Sequence, residues 1–174
     1  MKVLIIGPEN SPSKWNFNPF LKLFAQKPVF PPRELLLISI LLPITWERKI
    51  IDLNTDKLHT NDLLWADYVF VNAGENHYYT AGKLIKKCMS NGAKIIGCGK
   101  LFTEYFAEHE NLDHLVLDNI RTTLPLFIND LENDSPKRVY HSNPFFEIRK
   151  ANESYYSVKN ISCRLSENIQ LAYY

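Results

Sequence analysis

The residues with the greatest chemical potential gather at the ends of predicted strands. Gly7 and Pro8 close the first strand, Asn72-Ala73-Gly74 the third, Gly97-Cys98-Gly99 the fourth and Asp118-Asn119 the fifth. Glycine lets a backbone approach a flat ligand closely or adopt a positive φ. Two glycines framing the fourth strand end therefore suit a ligand that slides against main chain, and they suit a tight strand-to-helix turn equally well. Asn72-Ala73-Gly74 has the same two readings, a small-residue strand end that leaves room or a turn. Cys98 reads either as a reactive thiol or as a small buried hydrophobe, and the absence of a paired base favours the second. His59 and His77 fall on loops at the same edge, where His77 reads as a polar contact or as a solvated loop side chain. Neither has a second ligand at metal spacing, so no metal site is expected. No Ser/His/Asp or Cys/His order suggests nucleophilic catalysis.

The common phosphate-binding signatures are missing. The first strand runs into about twenty irregular residues that end at Phe30-Pro31-Pro32. No G-x-G-x-x-G opens a helix after it, and there is no P-loop. Gly97-Cys98-Gly99 has half of the dinucleotide pattern, but after the fourth strand. A phosphorelay receiver needs acidic residues after strand 1 and an aspartate ending strand 3, where this chain has Gly7, Pro8 and Asn72. Asn10-Ser11-Pro12-Ser13 only faintly echoes a flavin phosphate turn, because Pro12 removes a donor.

Composition narrows the field further. The 174 residues suit one domain with a sizeable core, with room for an appended tail. Lysine and arginine number 20 against 19 acidic residues, a net charge of +1. Without a basic stripe, nucleic acid is not an expected partner. The three cysteines, Cys88, Cys98 and Cys163, form neither a disulfide framework nor a zinc set, which fits a reduced, cytoplasmic protein. The longest apolar stretch, Leu35 to Leu42, is broken by Ser39 and closed by Pro43, well short of the roughly 20 residues of a membrane span. Membrane is therefore not an expected partner either.

The elements that must position the strand ends alternate regularly. Val3 to Ile6 is a continuous aliphatic run, the pattern of a strand buried on both faces. Residues 32–42 read as a helix ended by Pro43, and Trp46 to Leu53 as a second strand. Asn61 to Ala66 is a short helix capped by Thr60 or Asn61. Tyr68 to Val71 is the third strand, and Tyr79 to Ser90 a helix with Ala81, Leu84, Ile85 and Cys88 on one face. Lys94 to Ile96, Leu101 to Glu108, His114 to Leu117 and Thr122 to Leu131 continue the alternation, and Lys137 to Tyr140 has the makings of one more short strand. Strand and helix alternate five times, which predicts an α/β fold, Rossmann-like and flavodoxin-like: a doubly wound, five-stranded parallel sheet of order 2-1-3-4-5. That domain spans residues 1–141. Residues 142–174, polar and aromatic without helical period, read as a C-terminal arm that packs on a partner, as the start of a further domain, or as a partly ordered tail.

Several segments, taken in order, resemble one family. Met1-Lys2-Val3-Leu4-Ile5-Ile6-Gly7-Pro8-Glu9 with Trp15, Phe30-Pro31-Pro32-Arg33-Glu34, and Ile51-Asp52-Leu53-Asn54 are similar to the N-terminal cobalamin (B12)-binding-like domain of B12-binding radical SAM proteins. So are Asp62 to Val71, Gly97-Cys98-Gly99-Lys100-Leu101-Phe102-Thr103, and the stretch from Leu124 to Tyr140. The resemblance covers roughly residues 1–141. It implies a cobalamin with its nucleotide tail in the cleft and its corrin over the strand ends. The cofactor-binding residues it points to are Gly7, Pro8, Asn72, Ala73, Gly74, Gly97, Cys98, Gly99, Asp118 and Asn119. The Asp-x-His-x-x-Gly loop that supplies a lower-face histidine in methionine-synthase-like domains has no counterpart between Gly7 and Trp15. The chain also departs from the family. It has no Cys-x-x-x-Cys-x-x-Cys motif for an iron–sulfur cluster. It carries a cysteine within the family's glycine pair, and Asp118-Asn119-Ile120-Arg121 in place of the acidic Gly-Glu-x-Glu turn.

Three readings follow. In the first, the chain holds base-off cobalamin and presents it to a separate radical SAM-type protein. In the second, the fold has lost its ligand and serves as a docking or dimerisation domain, a homo-oligomer forming through the aromatic arm. In the third, the chain is one piece of a split methyltransferase-like enzyme. In each, the isolated chain is not expected to be an enzyme.

Overall fold

The computed structural model describes residues 1–11, 32–109 and 111–142. The described residues belong to one compact unit, Met1–Ser142. The expectations for the loop over residues 12–31, for Cys163 and for the arm over residues 143–174 lie outside the described residues.

This unit is a parallel sheet wound on both faces. Its elements, in chain order, are β1 (Lys2–Gly7), α1 (Arg33–Leu41), β2 (Glu47–Asp52), α2 (Thr60–Trp65), β3 (Tyr68–Asn72), α3 (Tyr78–Ser90), β4 (Lys94–Cys98), α4 (Lys100–Glu104), β5 (His114–Val116), α5 (Ile120–Glu132) and β6 (Val139–Tyr140). Single 3-10 turns, Glu75–His77 and Phe106–His109, precede α3 and follow α4. The six strands lie in the order β2-β1-β3-β4-β5-β6, and every neighbouring pair is parallel. The expected order 2-1-3-4-5 is kept, but the count of five strands is corrected to six.

The sixth strand forms because α5 provides its anchor. The Tyr140 hydroxyl donates to Asp130 Oδ2 at 3.0 Å and accepts from the Lys137 backbone N–H at 2.6 Å. The Tyr140 ring meets Phe127 edge-on, with centroids 5.5 Å apart. Two residues of ladder would be marginal alone; the buried ring and its satisfied hydroxyl hold the edge in place.

Burial follows the apolar runs. Val3, Leu4, Ile5 and Ile6 are all fully buried, as are Val69, Phe70 and Val71 of β3. Val3, Ile5, Phe70 and Ile96 face one side of the sheet, where Leu35 and Ile38 of α1 and Leu124, Phe127 and Leu131 of α5 cover them. On the other side α2 packs on β1 and α3 on β3 and β4, and α3 buries the predicted stripe of Ala81, Leu84, Ile85 and Cys88. Each large aliphatic or aromatic side chain removed from water contributes about 1.5–3 kcal/mol, so this two-sided covering is the main source of stability.

Helix ends depart from expectation in informative ways. α2 is preceded by His59, not by Thr60 or Asn61, and the Asp62 carboxylate reaches back to accept from the His59 backbone N–H at 3.1 Å. α5 begins two residues early because Asn119 caps it, its Oδ1 accepting from Arg121 N at 3.0 Å. The segment expected as one helix to Glu108 breaks after Glu104 into the second 3-10 turn. No helix among the described residues is long and apolar enough to cross a membrane.

Candidate functional site

Strands β1 and β3 are sheet neighbours whose chains leave in opposite directions, β1 toward β2 and β3 toward β4. Such a switch point opens a crevice at the carboxyl ends of the strands, where open α/β sheets bind ligands. A cleft of about 600 Å³ lies there. Its walls are main chain and small side chains: Gly7 and Pro8 after β1, Asn72-Ala73-Gly74 after β3, and Gly99 with Lys100 after β4. Pro32, Glu34 and Leu35 line it from α1 and the residue before it, and Asp52 and Asn54 from the end of β2.

One directional chain of hydrogen bonds runs along this edge. The Gly74 backbone N–H donates to His77 Nδ1 at 3.0 Å. Because Nδ1 accepts, the neutral ring carries its proton on Nε2, which lies 2.8 Å from Asn10 Oδ1 and donates to it. The Asn10 backbone N–H donates to Asn54 Oδ1 at 2.9 Å. Asn54 Nδ2 then donates to Asp52 Oδ1 at 2.7 Å, and the Asn54 backbone N–H reaches the same oxygen at 3.0 Å. The loops after β3, β1 and β2 are thus tied together through their polar side chains. Both nitrogens of His77 are engaged, so the ring offers no lone pair to a metal in this arrangement. No group of three His, Cys, Asp or Glu residues among the described residues is arranged to hold a metal ion.

Charge on the other wall is internally balanced. Lys100, which lines the cleft, pairs with Glu75 and with Glu104 one turn on, the latter at 3.5 Å. The Lys100 ammonium holds the Glu75 carboxyl below its usual range, and Glu75 with Glu104 raises Lys100 in turn.

The residues expected at the site separate into two groups. Gly7, Pro8, Asn72, Ala73, Gly74 and Gly99 come together around the cleft. Gly97, Cys98, Asp118 and Asn119 do not line it. A Cβ on Gly97 would lie 2.8 Å from Phe102, 2.9 Å from Leu115 and 3.0 Å from Leu112, so the space it leaves open belongs to the core. Cys98 is fully buried, its thiol 3.5 Å from the Val71 carbonyl, and burial pushes its pKa far up. Asp118 takes a positive φ of 60° and builds the turn into α5. Its N–H donates to Thr103 Oγ1 at 2.9 Å, and its Oδ2 accepts from Ser142 N at 3.0 Å. Asn119 is the cap of α5.

Gly99 has a double character. It borders the cleft, yet its φ of 96° and ψ of 175° are a glycine conformation, and a Cβ there would meet Ala73 O at 2.6 Å and Asn72 Oδ1 at 2.7 Å. The end of β3 already occupies the space that its missing side chain leaves.

Sequence reasoning did not select Asn10, Asp52 or Asn54. The available signal was Asp52 itself, an acid closing an otherwise apolar strand end; it is one of two polar residues buried among those described, with Thr123.

No family model matches the chain, and no solved structure matches it. An uncharacterized methyltransferase of Synechocystis sp. is 30% identical over 134 residues, which are 76% of this chain and 25% of that protein. The chain therefore spans about a quarter of the length of the curated relative it matches.

Proposed function

We propose that this domain holds cobalamin, base-off, with its nucleotide tail in the cleft between β1 and β3 and its corrin over the strand ends, and presents it to a radical SAM-type partner. The observation that carries the reading is the cleft itself, about 600 Å³ at the switch point and walled by Gly7, Pro8, Asn72, Ala73 and Gly74. Small-molecule sites run to about 300–1,000 Å³, so a nucleotide-sized tail fits while a corrin stays outside. The residues present also fit a base-off form without a lower histidine ligand, because both ring nitrogens of His77 are already engaged. Bound cobalamin would supply cobalt-centred methyl chemistry. The chain's own residues would supply a slot for the tail lined by Gly7, Pro8 and Gly74, with Lys100, ion-paired to Glu75, on its wall. The name of the Synechocystis relative, a methyltransferase four times longer than the matched portion, is compatible with a carrier module for methyl transfer completed elsewhere.

One observation favours a second reading, a ligand-free docking domain. Both glycines of the Gly97-Cys98-Gly99 turn are accounted for by contacts within the protein, so the turn needs no ligand to explain it. The test is a visible-absorbance titration with hydroxocobalamin and methylcobalamin. A saturable shift of methylcobalamin to its base-off spectrum supports the carrier. No shift at high micromolar cobalamin overturns it in favour of docking.

A further inference from the structure

A second cavity, of about 530 Å³, lies between the loop after β2 and α3. Its lining shares only Asn10 with that of the first cleft. Three lysines line it against one acid, Glu9, in a chain whose charges otherwise almost cancel. Tyr79, Lys83 and Lys87 follow one another at four-residue spacing on α3, so they share one face of the helix, and Lys57 comes from the loop. Two of the ammonium groups are held in place. Lys87 Nζ reaches from the helix to the loop and donates to Leu58 O at 3.0 Å, and Lys83 Nζ lies 4.4 Å from the centre of the Tyr79 ring. Among the described residues no carboxylate pairs with Lys57, Lys83 or Lys87, whereas Lys49, Lys100 and Lys137 each have an acidic partner. The rest of the lining is apolar in its largest members: Leu84 is buried, and Leu53 and Leu58 are half-buried.

We infer that this cavity takes a phosphate monoester with an apolar or aromatic body, its phosphate among Lys57, Lys83 and Lys87 and its body against Leu53, Leu58 and Leu84. Four arguments select that chemistry. Like charges four residues apart on a helix repel, so Lys83 and Lys87 are a cost that an anion between them turns into attraction. Three ammonium groups and Glu9 leave two positive charges, which matches a monoester above its second pKa of about 6. Lysine binds phosphate as a point charge and needs no glycine-rich cradle, so the missing loop signatures do not bear on this site. The volume falls in the range of about 300–1,000 Å³ typical of small-molecule sites, and a bare phosphate would leave the leucines without a partner. The lysines are confined to one cavity and form no extended stripe, so a small ester fits where a nucleic-acid strand does not. The site is separate from the one proposed for cobalamin, and neither depends on the other.

The test is calorimetric titration of the full chain with phenyl phosphate, inorganic phosphate and phenol at about 0.15 M salt, where diffuse attraction between exposed charges is largely screened. Phenyl phosphate is expected to saturate and to bind more tightly than inorganic phosphate, and phenol is expected not to bind. Lys83→Met and Lys87→Met keep the aliphatic stem and should each weaken phenyl phosphate about tenfold, the low end for a hydrogen bond to a charged group. Lys86→Met removes the same charge from an exposed position of α3 outside the cavity and should leave binding unchanged. No saturation at millimolar phenyl phosphate overturns the inference. So does an equal loss in Lys86→Met, which would make the attraction diffuse, and so does inorganic phosphate bound as tightly as the ester, which would give the leucines no part. Circular dichroism establishes that the variants fold. Amide shifts of the natural chain on adding phenyl phosphate decide without any variant: changes centred on Leu58 and on Tyr79 to Lys87 support the site, and changes confined to Gly74 and Gly99 of the first cleft overturn it.

Discussion

Replacing Gly99 with alanine places a methyl carbon 2.6 Å from Ala73 O, 2.7 Å from Asn72 Oδ1 and 3.1 Å from Ala73 N. Two of these three are backbone atoms at the end of β3, and they are held: Ala73 N donates to Cys98 O and Leu101 N donates to Ala73 O, each at 3.0 Å. The contact therefore cannot be relieved by rotating a side chain. The conformation adds its own term, since φ 96° with ψ 175° is essentially restricted to glycine and costs of order 1–3 kcal/mol for another residue. Together with the displaced strand end, about 3 kcal/mol is expected. For a chain of this size 1 kcal/mol corresponds to about 2–4 °C in Tm, so Gly99→Ala should melt about 6–12 °C lower. Gly82→Ala is the control. It lies inside α3 with nothing within 4 Å of a built Cβ, so it should stabilise by about 0.5–1 kcal/mol through helix propensity. The assay is thermal unfolding by circular dichroism, checked by urea titration. A Gly99→Ala protein melting within a degree of the natural one would refute the reasoning. If the loss is as large as expected, reduced ligand binding by Gly99 variants would report a damaged strand end before any ligand contact.

Four further outcomes follow from the geometry. Tyr140→Phe removes the hydroxyl that joins Asp130 to the Lys137 N–H and should cost about 1–3 kcal/mol, with amide exchange rising first in β6; protection unchanged at Leu117, whose N–H donates to Tyr140 O, would contradict it. The same hydroxyl holds the Asp130 carboxyl below its ordinary value, so the stabilisation is present above the unfolded value, roughly 4, and lost as pH falls through the lower folded one; the variant should therefore show a shallower loss of stability on acidification. Nitrogen-15 spectra of His77 should show the neutral ring protonated at Nε2, and the opposite tautomer would break the proposed chain at two links. Cys88, with a thiol pushed up to about 11, and Cys98, pushed higher, should resist Ellman's reagent at pH 7.5 in a Cys163→Ser background until denaturant is added; rapid labelling would show that burial does not protect them.

The sheet was legible because its central strands carry their own evidence. Val3 to Ile6 and Tyr68 to Val71 are apolar without alternation, which only burial on both faces explains. The sixth strand was only half legible, because two residues of ladder depend on a tertiary anchor, Tyr140 on Asp130, that local pattern does not display. Glycines 97 and 99 were visible as small residues, but residue type does not say what fills the vacated space. At Gly97 it is Phe102, Leu112 and Leu115, and at Gly99 it is the end of β3. Of the polar edge of the cleft, only His77 was visible as a candidate polar contact, for the same reason. Asn10, Asn54 and His77 are ordinary loop residues in sequence, and their meaning lies in hydrogen bonds spanning up to 67 positions.

That polar edge links its loops in series, Gly74 to His77 to Asn10 to Asn54 to Asp52, with every donor pointing the same way. Hydrogen bonds aligned head to tail polarise one another, so each is weaker once any neighbour is broken. The cleft mouth should consequently behave as a single latch, closed or released as a whole. Loss of any one link would loosen the far end at Gly74, just before the turn into α3. A ligand of this cleft that displaced Asn10 would then be felt at the start of a helix it never touches.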